Sequence, residues 1–172
     1  GGTSYQTILL PDARFMKLET PQKLMELAKN GATIIAYKNL PIDVPGYGQL
    51  DENLVAFKKL ISQLNFTLTD FGDIRSAPIG KGRFLTGNNF EELLAAAAIR
   101  KETMTEKGLQ FNRRKNADGS DFYFIANRSN KKMEGWITLQ SKANGVALYN
   151  QMIGQSGVAK LRKNAAGFIE IY

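Results

Sequence analysis

With 172 residues and a mass of 19.1 kDa, the chain has room for one domain or two small ones, and its 43% hydrophobic content excludes a disordered polypeptide. The lack of histidine and cysteine removes Ser-His-Asp and Cys-His catalysis, disulfides, and zinc held by imidazole or thiolate. A formal charge of +7 permits an anionic partner, but Lys58-Lys59, Arg113-Arg114-Lys115 and Lys131-Lys132 are short, scattered clusters; they read as solvated surface, not as the contiguous patch with interleaved aromatics that nucleic acid needs.

Along the chain, Gly1-Gly2 reads as the scar of a cleaved tag, with no signal peptide. Thr7-Ile8-Leu9-Leu10 is a short strand ended by Pro11. Thr20 is the expected N-cap of a helix with Pro21 at its first position, an apolar stripe at Leu24, Leu27 and Ala28, and a close at Asn30-Gly31. Ala32-Thr33-Ile34-Ile35-Ala36-Tyr37 follows as a second strand, so strand, helix and strand make a βαβ unit with parallel strands. Residues 38–50 are loop, rich in proline and glycine. Asp51 is the expected cap of a second helix with its stripe at Leu54, Phe57, Ile61 and Leu64. Residues 66–77 are irregular, with room for a short strand. Gly80-Lys81-Gly82-Arg83 then turns into the strand Phe84-Leu85-Thr86, and Asn89 with Glu92 opens a third helix in the manner of a capping box. The longest apolar run, residues 93–99, is far too short to span a membrane. Residues 1–107 thus read as an α/β domain with a partial parallel sheet. Three clear strands are few for such a layer, so the rest of the sheet is expected upstream, in another chain, or in a second copy as a homodimer.

From residue 108 the period becomes two. Residues 109–115 and 121–127, joined by Asn116-Ala117-Asp118-Gly119-Ser120, predict a hairpin. Phe122-Tyr123-Phe124-Ile125 is apolar on both faces, which predicts a central strand. Further strands are expected at 133–140, 145–150, 157–162 and 167–172. Residues 108–172 therefore read as a small antiparallel β-sandwich, and the stop inside a strand pattern reads as truncation.

Several residues are candidates for a site. Asp12 and Arg14 follow the carboxyl end of a strand, where open α/β sheets place ligands, although a loop ion pair is the plainer reading. Gly80-Lys81-Gly82-Arg83 enters a strand where a phosphate loop would enter a helix, so it reads as a turn. Asp70 with Asp73, and Glu91 with Glu92, are close in sequence. Glycosidic chemistry needs two carboxyls at a set separation in space, so these read as a turn and a helix start. Trp136, Tyr123 and Tyr149 are candidate sugar-stacking rings, against the plainer reading as core aromatics. Arg113 and Arg114 sit on adjacent strand positions and point to opposite faces, so one must be partly buried on a carboxylate or carbonyl, expected across the joint between the two parts.

Leu10-Pro11-Asp12-Ala13-Arg14-Phe15-Met16, Gly31-Ala32-Thr33, Gly80-Lys81-Gly82-Arg83, Phe111-Asn112-Arg113-Arg114 and Tyr123-Phe124-Ile125-Ala126-Asn127-Arg128-Ser129 resemble the α-L-rhamnosidase family of glycoside hydrolases numbered 106. Ala147-Leu148-Tyr149-Asn150-Gln151-Met152-Ile153-Gly154 looks like a further segment of that family; Asn150, Gln151 and Ile153 replace its Asp, Pro and Thr, and Asn112 stands where a His is common. The resemblance implies a large secreted or periplasmic bacterial enzyme, with a catalytic (β/α)-barrel followed by a flavodoxin-like three-layer α/β region and β-sandwich modules. It associates activity with calcium and places the acid/base glutamates on the barrel, outside this sequence. The expectation is a segment without catalytic residues, metal or cofactor of its own, whose partners are the rest of the glycosidase and a plant or complex polysaccharide, not nucleic acid or membrane. The alternatives are a carbohydrate-binding module built on Trp136 and the tyrosines, and a basic nucleic-acid-binding protein.

Overall fold

Two aliphatic runs seed the first half of the chain. Strands β1 (Thr7–Leu10) and β2 (Thr33–Tyr37) pair in parallel across the helix α1 (Glu19–Lys29), as the spacing predicts. The structure, a computed structural model, describes residues 5–172; Gly1-Gly2 lies outside them. It divides into two units, one ending at Ile99 and the other running from Arg100 to Tyr172.

In the first unit, helix α2 (Leu50–Ile61) leads to strands β3 (Thr67–Leu68), β4 (Arg75–Ile79) and β5 (Gly82–Gly87), and helix α3 (Phe90–Ala96) closes it. The sheet order is β1-β2-β5-β4-β3. β5 pairs with β2 in parallel, whereas β4 and β3 are antiparallel additions. The partial parallel sheet expected from the sequence is present in β1, β2 and β5, and the sheet as a whole is mixed. Ile79 pairs with Gly82 across a two-residue link, far too short for the dozen or more residues of a parallel crossover.

Alternation along the strands assigns the two faces. Ile34, Ala36, Ala77 and Phe84 pack with Leu24, Met25 and Ala28 of α1 and with Leu64, joined by Leu60 and Ile61 of α2. Ile35 and Leu85 point the other way, onto Ile74 and onto Leu93 and Ala96 of α3. The unit is three layers deep.

Two helix starts differ from expectation. α1 begins at Glu19 with Leu18 as its N-cap, so Thr20 and Pro21 fall inside the first turn. That turn has no intrahelical use for its N–H groups, so Pro21 is tolerated there. α2 begins at Leu50 behind a left-handed Gln49 (φ 53°), leaving Asp51 as a first-turn charge and not the cap. Asn89 caps α3 as expected, its Oδ1 accepting from the backbone N–H of Glu91 (3.0 Å) and Glu92 (3.4 Å).

The Gly80-Lys81-Gly82-Arg83 turn docks on the end of α1. A Cβ on Gly82 would collide with the carbonyl oxygens of Ala28 and Ala32, and one on Gly80 would come within 2.7 Å of the Lys29 backbone. Gly80 also needs its positive φ of 57°. Arg83 donates from Nη2 to the carbonyl of Ala96 at 2.7 Å, satisfying the end of α3. The motif is a packing device.

The second unit starts with a 3-10 helix, Thr103–Lys107. Strands β6 (Leu109–Lys115) and β7 (Asp121–Asn127) form the predicted hairpin, with Arg113 opposite Tyr123. Asp118 Oδ1 accepts from the Ser120 hydroxyl (2.6 Å) and backbone N–H (2.8 Å), which holds its carboxyl below the usual range. Strands β8 (Ile137–Thr138), β9 (Ala147–Asn150), β10 (Gln155–Val158), β11 (Leu161–Lys163) and β12 (Ile169–Ile171) complete the unit. They form a three-stranded sheet in the order β11-β12-β8 and a separate β9–β10 hairpin. The described residues thus hold several small antiparallel sheets. Tyr123 and Ile125 from β7 share one core with Met104, Leu139, Ile169 and Ile171.

Three expectations change in this unit. The run 157–162 is two strands, bent at Ala159-Lys160, and 133–140 contains only the two-residue β8. β7 is not central: it pairs with β6 alone. Its inner face enters the core, while Phe122 (48% exposed) and Phe124 (52%) on its outer face are open.

Candidate functional site

Arg113 must find an anion, and the structure supplies two. Its Nη1 lies 3.4 Å from Glu102 Oε1 and its Nε 3.3 Å from Asp121 Oδ1. Glu102 is 4% exposed. A buried carboxylate survives only when its lone pairs are used. Glu102 accepts from the Tyr123 hydroxyl (2.7 Å) and from the backbone N–H of Gln140 (3.0 and 3.3 Å) as well as from Arg113. Burial pushes the Tyr123 phenol well above the usual tyrosine range, and the Glu102 hydrogen bond and charge push it further, against a smaller pull from Arg113. The pairing expected at a joint between the two parts lies wholly inside the second unit. Arg114, on the opposite face of β6, is exposed. Glu102 itself was not singled out from the sequence. Its only trace there is the requirement that Arg113 have a partner.

Beside this hub the second unit carries a recess of about 390 Å3, whose lining includes Glu106, Lys107, Trp136, Thr138, Arg162 and Glu170. Strands β8, β11 and β12 bring the last three together by register, since Glu170 stands opposite both Thr138 and Arg162. Glu170 accepts from Arg162 Nε at 2.6 Å and from the Thr138 hydroxyl at 3.2 Å. The Arg162 bond is the main reason its carboxyl is held below the usual range; the Lys107 charge adds a smaller pull. The Arg162 guanidinium carbon stands 4.3 Å from the Trp136 ring centre, a cation–π contact. Lys107 Nζ donates to the Trp136 carbonyl at 2.6 Å. Tyr172 meets the indole edge-on at 5.6 Å.

The other aromatic candidates lie elsewhere. Tyr123 sits in the hub, and Tyr149 is 71% exposed on β9. Trp136, Tyr123 and Tyr149 belong to three different sheets or their approaches.

In the first unit, Asp12 lies 3.6 Å from Lys38, so it links the loop after β1 to the end of β2. The Arg14 guanidinium rests over its neighbour Phe15, and its carbonyl accepts from the N–H of Ile42 and Asp43. Both side chains are exposed. At the carboxyl end of β5 an open recess of about 620 Å3 includes Asp73 and Glu92 in its lining. Asp73 accepts from Asn88 at 3.2 Å and Glu92 from Asn89 at 3.0 Å. Calcium takes six to eight oxygen ligands. Among the described residues no three acids come together to hold a metal. None of the described helices is long and apolar enough to cross a membrane.

The family described as alpha-L-rhamnosidase, glycoside hydrolase 106, matches residues 1–162, and the chain belongs to it. A protein of Formosa agariphila, provisionally named a beta-glucuronidase, is 31% identical over 133 residues; the match takes in 77% of this chain and 10% of that protein. In fold the chain is similar to Gan42B, a GH42 beta-galactosidase, with TM-score 0.54, 15% identity, and 98% of this chain against 32% of that one. A catalytic mutant of Gan42B from G. stearothermophilus gives TM-score 0.53 and 16% identity, with 97% of this chain against 31% of that one. The chain spans about a tenth of the curated relative and under a third of those structures.

Proposed function

We propose that this chain is a non-catalytic part of a longer α-L-rhamnosidase-like enzyme, bracing the catalytic portion and offering one wall of its polysaccharide cleft. The observation that carries this reading is how the acids are used. Glycosidases need two carboxyls roughly 5–9.5 Å apart, flanking a bond and free to act on it. Here Glu102, Asp121 and Glu170 are engaged with Arg113, Tyr123 and Arg162, and Asp73 and Glu92 with asparagines. β1, at the edge of its sheet, offers an open ladder to a strand of the remaining polypeptide or of a second copy. The finer fold reading goes with this. Parallel strands between helices favour a flavodoxin-like layer, and two small sheets sharing one core favour a sandwich. Such an enzyme would work where polysaccharides are met, secreted or in the periplasm.

The test is substitution in the full-length enzyme. Glu170→Gln and Asp73→Asn should each leave kcat on an aryl α-L-rhamnoside within about threefold. A general acid/base or nucleophile would lose on the order of a hundredfold or more, and such a loss at either position would overturn the reading.

A further inference from the structure

We infer that the recess beside Trp136 is a subsite for an anionic pyranose, a sugar unit carrying a carboxylate or sulfate. This rests on the accessory reading above and gives the cleft wall a ligand class.

Size and shape come first. About 390 Å3 holds one pyranose ring with its hydroxyls, and the half-buried indole, with the Arg162 guanidinium over its ring, forms one wall. Charge decides the class. Glu170 is neutralised by Arg162 at 2.6 Å, and Glu106 stands 3.5 Å from Lys101. Lys107 bonds no carboxylate: it acts on Glu170 through its charge alone and donates to the neutral carbonyl of Trp136, which uses one of its three donors. Arg162 spends its Nε on Glu170, and its guanidinium lies over the Trp136 ring, which leaves its terminal N–H groups without an acceptor among the described residues of the recess. The recess therefore presents two cations with donors to spare, held in place before a ligand arrives. Such preorganisation lowers the entropic cost of binding. A neutral sugar would leave the extra positive charge unmatched. An anionic one would complete it, with Glu106 and Thr103 at hand for ring hydroxyls.

Trp136 is the one tryptophan of the chain, so its emission and its indole N–H resonance report on this recess alone. Trigalacturonic acid should shift both saturably, with weaker binding at higher salt, while cellotriose and sodium sulfate should not. Lys107 is exposed, so its replacement should leave the melting temperature unchanged. Lys107→Met should weaken trigalacturonic acid about tenfold, the worth of one charge-assisted hydrogen bond, and Lys107→Arg should restore it. Glucose 6-sulfate compared with glucuronic acid then separates sulfate from carboxylate as the preferred anion; a response to either supports the subsite. An equal response to cellotriose, the same response to sulfate ion alone, or no response in either signal would overturn it. Those failures leave kcat of the full-length enzyme untouched, so they are distinguishable from failure of the accessory reading.

Discussion

Removing the Glu102 carboxylate would strand two donors, the Tyr123 hydroxyl and the Gln140 N–H, and leave the Arg113 guanidinium with Asp121 alone. A buried donor left without an acceptor costs about 1–3 kcal/mol. Glu102→Ala should therefore destabilise the second unit by about 3 kcal/mol or more in urea unfolding, and Tyr123→Phe by about 1–2 kcal/mol. The Tyr123 phenol also sets a pH dependence. Its folded pKa is raised above the ordinary 10.0, so the folded state favours the neutral form. That contribution is fully present below pH 10 and is lost as the pH climbs beyond it. Unfolding free energy should thus fall more steeply with alkaline pH in the native protein than in Tyr123→Phe; equal slopes would show that the phenol is not held as described. The need for such a partner was legible from Arg113 and Arg114, because adjacent strand residues point to opposite faces of the hairpin, one of which packs on the core. The identity of Glu102 was not, since nothing in local periodicity marks a lone acid in a loop.

Elements carry a different lesson. β6 and β7 span residues 109–115 and 121–127, as alternation and the Asn/Asp/Gly turn predict, because both signals are local. The placement of β7 in its sheet was misread for the opposite reason: an apolar second face does not say whether anything covers it. Phe122→Thr and Phe124→Thr should each change stability by less than about 0.5 kcal/mol, whereas Ile169→Ala, 1% exposed, should cost about 2–5 kcal/mol. The break between β10 and β11 was invisible because Ala159-Lys160 contains no turn former. Gly82 makes the complementary point in the first unit. Its motif was legible as a turn, but the two carbonyls that exclude a Cβ come from α1 and the chain after it. Gly82→Ala should cost roughly 1–3 kcal/mol, the usual range for overpacking, read as a lower melting temperature of that unit.

At the scale of the whole molecule, the α/β and antiparallel halves were readable from the change of period, and the family from motifs spread along the chain. The Trp136 recess was only half readable. The ring was a candidate, but Lys107, Thr138, Arg162 and Glu170 converge on it through strand register and the turn of a 3-10 helix. The chain spans 10% of its curated relative, and the acids at its two recesses and its buried hub have side-chain partners. Together these support a supporting role beside a catalytic centre carried elsewhere in a longer enzyme. The most direct measurement is hydrolysis of an aryl α-L-rhamnoside by the 172-residue chain on its own. The account predicts release no faster than in buffer, while turnover that disappears on replacing a single one of its carboxylates would contradict it.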